Sequence, residues 1–265
     1  MSIADKTSIF TKEYRDTNNI IRIGSRSFID GIMDGLIPGA DVIGKFGRGP
    51  SVDTGNVVQD EEGSIAINTV ASAIEVISSD AADTAAGAGA KAIEVFGVDG
   101  DWNPISDTIV TAGTSASTAT TNTYLYVYRA RIADSGAVPN TGNITIRKSG
   151  AGATMAYITA GYGQTLKCMM PVFAGCKLRI TNMSLEGIRT NTVTGEIALM
   201  EYALGEGIRC RHAFEFSVGS DINREFKVPI ECNAKSLVWI QCMNISTPAV
   251  LTASFDGYFV RTAAS

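Results

Sequence analysis

The feature that most constrains the fold of this chain is an alternation of apolar residues with polar or small ones, which begins near Ile65 and continues almost to the end. Ile74 and Val76 are one example, and Leu125 and Val127 are another. Side chains two residues apart lie on the same face of a β-strand. The pattern therefore predicts many half-buried strands, joined by turns rich in Thr, Ser, Ala and Gly.

The predicted fold class is mainly β, because no long helical pattern separates these strands. Short strands at such spacing are typical of antiparallel β-sandwich or jelly-roll units. The strands form two groups, which predict a first β-unit at 64–163 and a second β-sandwich unit at 164–265, joined near 160–164. Residues 1–63 differ from the rest, and we expect them to form an N-terminal arm.

The arm is predicted to contain one short amphipathic helix. Its apolar residues recur at helical spacing and share one face: Phe28, Ile29, Ile32, Met33 and Leu36. Glycines within the same segment each cost about 1 kcal/mol relative to alanine, so this helix needs a surface to lie on. The Gly-rich, polar segment that follows predicts an irregular loop.

The charge balance argues against direct nucleic-acid binding. The 265 residues carry a net charge of −5, and charged residues make up 18% of the chain, below the ~25% that is usual. The sequence has no basic stripe of the kind that contacts a phosphate backbone. No segment approaches the ~20 apolar residues that span a bilayer, so a membrane partner is not expected.

The cysteines and the first residues indicate where the chain is made. There are five cysteines, an odd number, and none lies in a CxxC spacing, which favours free thiols in a reducing compartment. The first residues lack the apolar core of a secretory signal peptide. We therefore expect synthesis in a cytoplasm.

Catalytic patterns in the sequence are weak. His212 is the only histidine, and no nearby pattern orients it as a general base. Asp53-Thr54-Gly55 matches the short signature of aspartic proteases, but one copy in a Gly-rich segment is better explained as a turn. We predict that the protein is not an enzyme and that it has no catalytic residues.

Cofactor and metal motifs are incomplete. Asp99-Gly100-Asp101-Trp102-Asn103 carries oxygen atoms at alternate positions, yet Pro104 and Val110 occupy the places where a calcium loop needs glycine and glutamate. We expect a hairpin turn with a packed Trp102. Gly44-Lys45-Phe46-Gly47-Arg48-Gly49 lacks the spacing of a phosphate-binding loop. No metal or cofactor is predicted.

A row of tyrosines is the one candidate ligand-binding surface. Tyr124, Tyr126 and Tyr128 alternate with apolar residues, so they share one face of a predicted strand. Tyrosine offers contact area and a polar tip, which suits a sugar or another protein. The same row could equally be the outer layer of a sandwich covered by a loop. Both interpretations remain open from the sequence.

Several stretches resemble a family of tailed-bacteriophage virion structural proteins, of head-decoration or tail-accessory type. The resemblance covers most of residues 37–165 and extends only loosely beyond them. Its main motifs are Ile37 to Gly55, Ser78 to Thr111 with Val95-Phe96-Gly97-Val98-Asp99-Gly100-Asp101-Trp102, Asn122-Thr123-Tyr124, Gly142-Asn143-Ile144-Thr145-Ile146 and Gly161-Tyr162-Gly163-Gln164-Thr165.

This resemblance implies a non-enzymatic subunit that assembles into a virion. We expect a capsid decoration or head-associated protein, a homo-oligomer whose partners are other virion proteins and which is synthesised in the host bacterial cytoplasm. A tail adaptor, tail-accessory or fibre-anchoring protein is the alternative within the virion. A module that binds a host-surface glycan is a further alternative, and an aspartic protease comes last.

The resemblance also suggests that the arm docks the subunit onto a partner. A docking arm becomes ordered on binding, and burial of its apolar side chains in the partner offsets the entropy lost. The residues expected at this protein interface are Phe28, Ile32, Leu36, Ile43, Phe46 and Arg48.

Overall fold

The computed structural model describes residues 11–15, 21–25, 28–61, 63–188, 193–217 and 222–262. In these residues the protein is almost entirely β, with one short helix, α1 (Phe28–Met33). The strands are β1 (Thr11–Arg15), β2 (Ile21–Ser25), β3 (Ala40–Val52), β4 (Ile74–Ser78), β5 (Ala90–Val98), β6 (Pro104–Val110), β7 (Tyr126–Ser135), β8 (Ile144–Lys148), β9 (Thr154–Ile158), β10 (Met169–Val172), β11 (Cys176–Ile188), β12 (Thr194–Ala203), β13 (Gly207–Ser217), β14 (Ile222–Cys232), β15 (Ser236–Ile245) and β16 (Ala249–Arg261). The predicted fold class and the short N-terminal helix are confirmed.

Eight of these strands form a jelly roll, which we call the jelly-roll unit. One sheet has the order β14-β11-β16-β3, and the other has the order β10-β15-β12-β13. All neighbouring strands in both sheets are antiparallel. Counted along the chain, the first strand pairs with the last and the second with the next to last, as in a jelly roll.

The core of the jelly-roll unit lies between its two sheets. The apolar residues of the alternating sequence pattern face this core, and the polar residues between them face solvent. In β11, Leu178 and Ile180 are buried, whereas Lys177 and Arg179 point outward and form ion pairs with Glu231 of β14. Inward-facing residues from the other strands complete the core, among them Ile197, Leu199, Val238, Ile240, Leu251 and Phe255.

A second apolar core lies in a smaller β-sandwich, which we call the inserted unit. It contains two three-stranded antiparallel sheets, β4-β8-β9 and β6-β5-β7. Its buried residues include Ile74, Val76, Ile93, Ile144 and Ile146. The chain leaves the jelly roll after β3 and returns to it at β10, so this unit is inserted between the first two strands of the jelly roll.

Strand β3 corrects the expectation of an irregular Gly-rich loop after the helix. Ala40–Val52 pairs with β16 as part of the jelly roll. At Gly47 a side chain does not fit, because a Cβ there would collide with the Val58 carbonyl and the Cys168 backbone. The close approach of the backbone, rather than looseness of the chain, therefore requires this glycine. The predicted joint at 160–164 lies between β9 and β10.

A third apolar cluster joins the two units. Trp102 and Tyr126 of the inserted unit pack with Met169 and Trp239 of the jelly-roll unit, and all four are nearly fully buried. Among the residues that the structure describes, no helix has the length and apolar character needed to cross a membrane.

Candidate interaction groove

A groove of about 510 Å³ separates β3 from the inserted unit, and we call it the β3 groove. It is the place where the edge of the jelly roll faces β7 and the segment before β10. Its described lining consists of Val42, Ile43, Gly44, Lys45, Phe46, Tyr128, Arg129, Gln164, Thr165 and Met170.

One wall of the groove is the free edge of β3. Arg48 donates its backbone N–H to the carbonyl of Leu166 at 3.2 Å, so its backbone points away from β16. In an antiparallel strand, residues two apart direct their N–H and C=O groups to the same side. The backbone groups of Val42, Gly44 and Phe46 therefore point into the groove. Within the described residues, none of these three has a backbone partner on that side.

Lys45 brings a positive charge to the floor of the groove. Its amine donates to the carbonyl of Tyr128 and lies 5.6 Å from the centre of the Tyr128 ring. Burial lowers the pKa of Lys45 from 10.5 to about 7. The exposed side chain of Arg129 provides a second cation, and none of the described lining residues carries a carboxylate.

The aromatic part of the groove is held rigidly. Tyr128 packs on Phe173 with ring centres 6.0 Å apart, and Phe173 stacks on Phe259 at 4.9 Å. Phe46 lies at the open side, where 45% of it is exposed. The groove thus combines a fixed aromatic ring, two basic side chains and unpaired backbone groups, all of which can contact a ligand.

A second, smaller pocket lies where the connections between the units meet. Its volume is about 160 Å³, and Glu61, Asn68, Tyr126 and Lys167 are in its lining. Burial raises the pKa of Glu61 and lowers that of Lys167 to about 8. Lys167 donates to the carbonyl of Met155 at 2.8 Å. These contacts make the pocket a polar junction between the units.

The structure separates the residues of the predicted tyrosine face. Tyr124 is buried in the core of the inserted unit and donates to Asp107 at 2.7 Å. Tyr126 is also buried, and its hydroxyl donates to the carbonyl of Asn68 at 3.2 Å. Tyr128 lines the β3 groove, whereas Tyr126 reaches only the small polar pocket. Of the two interpretations left open, the structure does not show one exposed tyrosine face, because Tyr124 lies in the core of the inserted unit while the jelly-roll unit and the segment at Asn68 cover Tyr126.

The predicted arm interface is also divided among several environments. Ile32 is buried, and Ile43 packs against the core of the jelly roll. Phe28 contacts the ring of Tyr258 at 5.0 Å but keeps an exposed part. Leu36 is exposed.

The other two predicted interface residues lie at the β3 groove and beside it. Phe46 lines the groove, and the Arg48 guanidinium lies 5.9 Å from the centre of the Tyr162 ring. Of the groove residues, Arg129 and Met170 lie outside every motif considered in the sequence, whereas Lys45 and Gln164 belong to motifs considered for other reasons. The segment Val42-Ile43-Gly44-Lys45-Phe46 has no regular alternation of apolar and polar residues, and its glycine favours a loop.

The residues considered for catalysis and metal binding have local structural contacts. His212 lies between the rings of Phe214 and Phe226, at 6.1 and 5.1 Å. Asp53 accepts the N–H of Thr54 at 2.7 Å. In the described part of the chain, no group of three or more His, Cys, Asp or Glu residues could hold a metal ion.

The predicted hairpin turn between β5 and β6 is confirmed. Asp99 accepts the backbone N–H groups of Asp101 and Asn103 at 2.9 and 2.8 Å. Trp102 has a positive φ of 70° and is almost fully buried between the units. Its carbonyl accepts the N–H of Ala174 at 3.0 Å, so this turn also links the inserted unit to the jelly roll.

Comparison with known proteins finds only distant similarity. No protein-family model matches the chain. No curated protein matches it either. A solved structure described as CBM4 structure and function has a TM-score of 0.22 and 10% identity, over 46% of this chain and 72% of its own. The structure of the infectious bursal disease virus Gt strain has a TM-score of 0.20 and 10% identity, and the match covers 89% of this chain and 83% of that chain. TM-scores this low do not establish a shared fold.

Proposed function

We propose that this protein is a non-enzymatic structural subunit of a tailed-phage virion, most simply a homo-oligomeric, head-associated decoration protein. The observation that carries the proposal is the insertion of one β-sandwich between the first two strands of a jelly roll. In this proposal one unit lies in a shell of neighbouring proteins while the other projects from it. The sequence resemblance to virion proteins described above points in the same direction.

The joint between the units supports a rigid projection. Trp102 and Tyr126 pack against Trp239, with the Trp102 and Tyr126 rings 5.4 Å apart. Backbone hydrogen bonds from Val58 and Cys168 also tie the two connections to each other and to β15. A rigid joint suits a subunit that must keep one orientation in an ordered assembly.

The helix α1 provides the surface for docking in this proposal. Phe28, Met33 and Leu36 form what we call the α1 patch, with 37%, 71% and 43% of each residue exposed. Large apolar side chains exposed together mark interaction sites on soluble proteins. Because β3 is a strand of the jelly roll, we place the docking surface on the α1 patch rather than on the whole of residues 1–63.

The experiment that tests this docking surface uses the double variant Met33→Ser, Leu36→Ser in assembling phage. We expect its occupancy on purified particles to fall at least tenfold, because the patch no longer offers apolar surface. Val110→Ser in β6 is the matched control, since Val110 is 58% exposed and lies in the inserted unit rather than beside α1. Normal occupancy of the double variant would contradict docking through the α1 patch.

A tail adaptor, tail-accessory or fibre-anchoring subunit is the second candidate within the virion. The two locations differ in symmetry, since a portal or tail ring holds about six or twelve copies, whereas a capsid shell holds hundreds. A role in binding host glycans is the third candidate, and Tyr128 is the tyrosine of the row that remains open to a ligand. Glycan-array binding that is lost on Tyr128→Ala would favour it over a purely structural role.

A further inference from the structure

We propose that the β3 groove binds an extended acidic peptide segment of a partner protein, which adds to β3 as a further strand. This inference concerns the groove alone and does not depend on the virion role. It rests on three features of the described residues: an unpaired strand edge, limits at both ends of that edge, and a lining with positive charge only.

The unpaired edge supplies the main-chain contacts. The N–H and C=O groups of Val42, Gly44 and Phe46 point into the groove, as established from the hydrogen bond between Arg48 and Leu166. Proteins usually cover, shorten or interrupt such edges, because an open edge pairs with other chains. Strand addition to an open edge is a recurrent mode of peptide recognition, in which the main chain provides affinity and side-chain pockets provide specificity.

Both ends of the open edge are closed, which limits the length of the occupant. At one end Arg48 already pairs with Leu166. At the other end Ala40 donates its N–H to the carbonyl of Ile37 in a turn. A peptide strand rises about 3.4 Å per residue, so the open edge matches a segment of about five residues.

The far wall of the groove argues against a second copy pairing β3 with β3. Tyr128 and Arg129 of the inserted unit face the open edge across the groove. A neighbouring sheet edge would have to occupy the position of these residues. In this proposal a single extended segment lies between the two walls.

The charges of the groove select an acidic occupant. Lys45 and Arg129 are the charged groups among the described lining residues. An ammonium group has three donors, and the Lys45 amine uses one of them on the Tyr128 carbonyl, which leaves the others for a ligand. A bound carboxylate would also favour the charged form of Lys45, which burial opposes.

The probe for this proposal is a panel of synthetic, end-capped five-residue peptides with alternating Val and Thr and one central Asp or Glu. Binding to the full-length protein is measured by fluorescence anisotropy, and the contact is located by NMR shifts of backbone amides. We expect the acidic peptides to bind and to shift the amides of Gly44 and Phe46. A central Lys should weaken binding about tenfold or more, and N-methylation of the peptide backbone should abolish it.

Two protein variants test the two parts of the site. Gly44→Pro removes a donor that faces the groove, while Gly44→Ala keeps this donor, so only the proline variant should lose binding. Arg129→Glu reverses an exposed charge and is expected to weaken binding of the acidic peptides at least tenfold, with exposed Lys227→Glu as its control. The arginine variant keeps the test decisive if the proline variant does not fold.

Three outcomes would overturn the proposal. The first is that no acidic peptide of the panel binds. The second is that acidic and basic peptides bind equally well, or that binding survives Arg129→Glu. The third is concentration-dependent dimerisation that shifts the Gly44 and Phe46 amides without peptide, which would assign the edge to a second copy of this chain.

Discussion

Val58 donates its backbone N–H to the carbonyl of Ile240 at 3.1 Å, and so ties the chain that leaves the jelly roll to strand β15. The returning chain makes the matching contact, because Ile240 donates to the carbonyl of Cys168 at 3.1 Å. Cys168 in turn donates to the carbonyl of Val58 at 3.0 Å. Three segments that are distant in sequence are thus joined at one point, and the inserted unit is anchored at both of its connections.

Truncation of Trp102 should loosen the contact between the two units. Trp102 is 2% exposed and belongs to the apolar cluster that joins them. We expect Trp102→Ala to lower the free energy of unfolding by about 3–5 kcal/mol, as for other large-to-small changes in a core. Urea denaturation measures this change, with the exposed Val70→Ala as control. A loss below about 1 kcal/mol would mean that the contact contributes little.

The two glycines Gly47 and Gly44 should respond differently to alanine. A Cβ at Gly47 would collide with backbone atoms of Val58 and Cys168, which cannot move easily. We expect Gly47→Ala to destabilise the protein by about 3 kcal/mol or more. A Cβ at Gly44 would meet only Asp256 Oδ1 at 3.2 Å, so Gly44→Ala should cost far less. Thermal unfolding compares them, and equal losses would contradict the placement of β3.

The carboxylate of Asp83 should stabilise the inserted unit at pH values above about 4. Its buried carboxylate accepts hydrogen bonds from the Ser78 hydroxyl and from the backbone N–H groups of Ala90, Thr141 and Gly142. Burial alone would raise the pKa of Asp83, but these hydrogen bonds outweigh it and lower the pKa below 3.8. The carboxylate therefore contributes stability above pH ~4, and this contribution is lost as the pH falls through the lowered pKa.

The variant Asp83→Asn tests this contribution. We expect it to lower the free energy of unfolding by about 2–3 kcal/mol at pH 7, because hydrogen bonds to a charged acceptor are lost. The deficit should shrink as the pH falls below about 4. Exposed Asp134→Asn is the control. A deficit that does not change with pH would show that the carboxylate charge is not responsible.

Lys45 should make stability depend on pH in the alkaline range. Burial lowers the pKa of Lys45 from 10.5 to about 7, so the folded protein binds fewer protons than the unfolded chain between these values. Its stability therefore rises as the pH increases from about 7 to 10.5. The Lys45→Met variant should lack this rise in stability with pH and should be more stable than the natural protein at pH 6. Chemical denaturation at a series of pH values from 6 to about 10.5 measures both effects. The same pH profile in both proteins would contradict the assignment to Lys45.

The sequence predicted the fold class well, because the period of two at positions such as Ile144 and Ile146 directly reflects the pleat of a buried strand. It did not reveal β3, whose glycines serve close backbone packing and imitate a loop. Pairing of β3 with β16 joins residues about two hundred positions apart, as Gly47 and Ala253 show, and local patterns carry no information about it. For the same reason, Lys45 and Arg129 could not be recognised as one site.

The measurement that tests the central claim most directly is the copy number of this protein in purified phage particles, by quantitative mass spectrometry against the genome count. A head-associated structural subunit should be present at a fixed ratio of hundreds of copies per particle. About six or twelve copies would move it to the portal or tail, following the symmetry of closed rings. Absence of the protein from purified particles would contradict the virion role altogether.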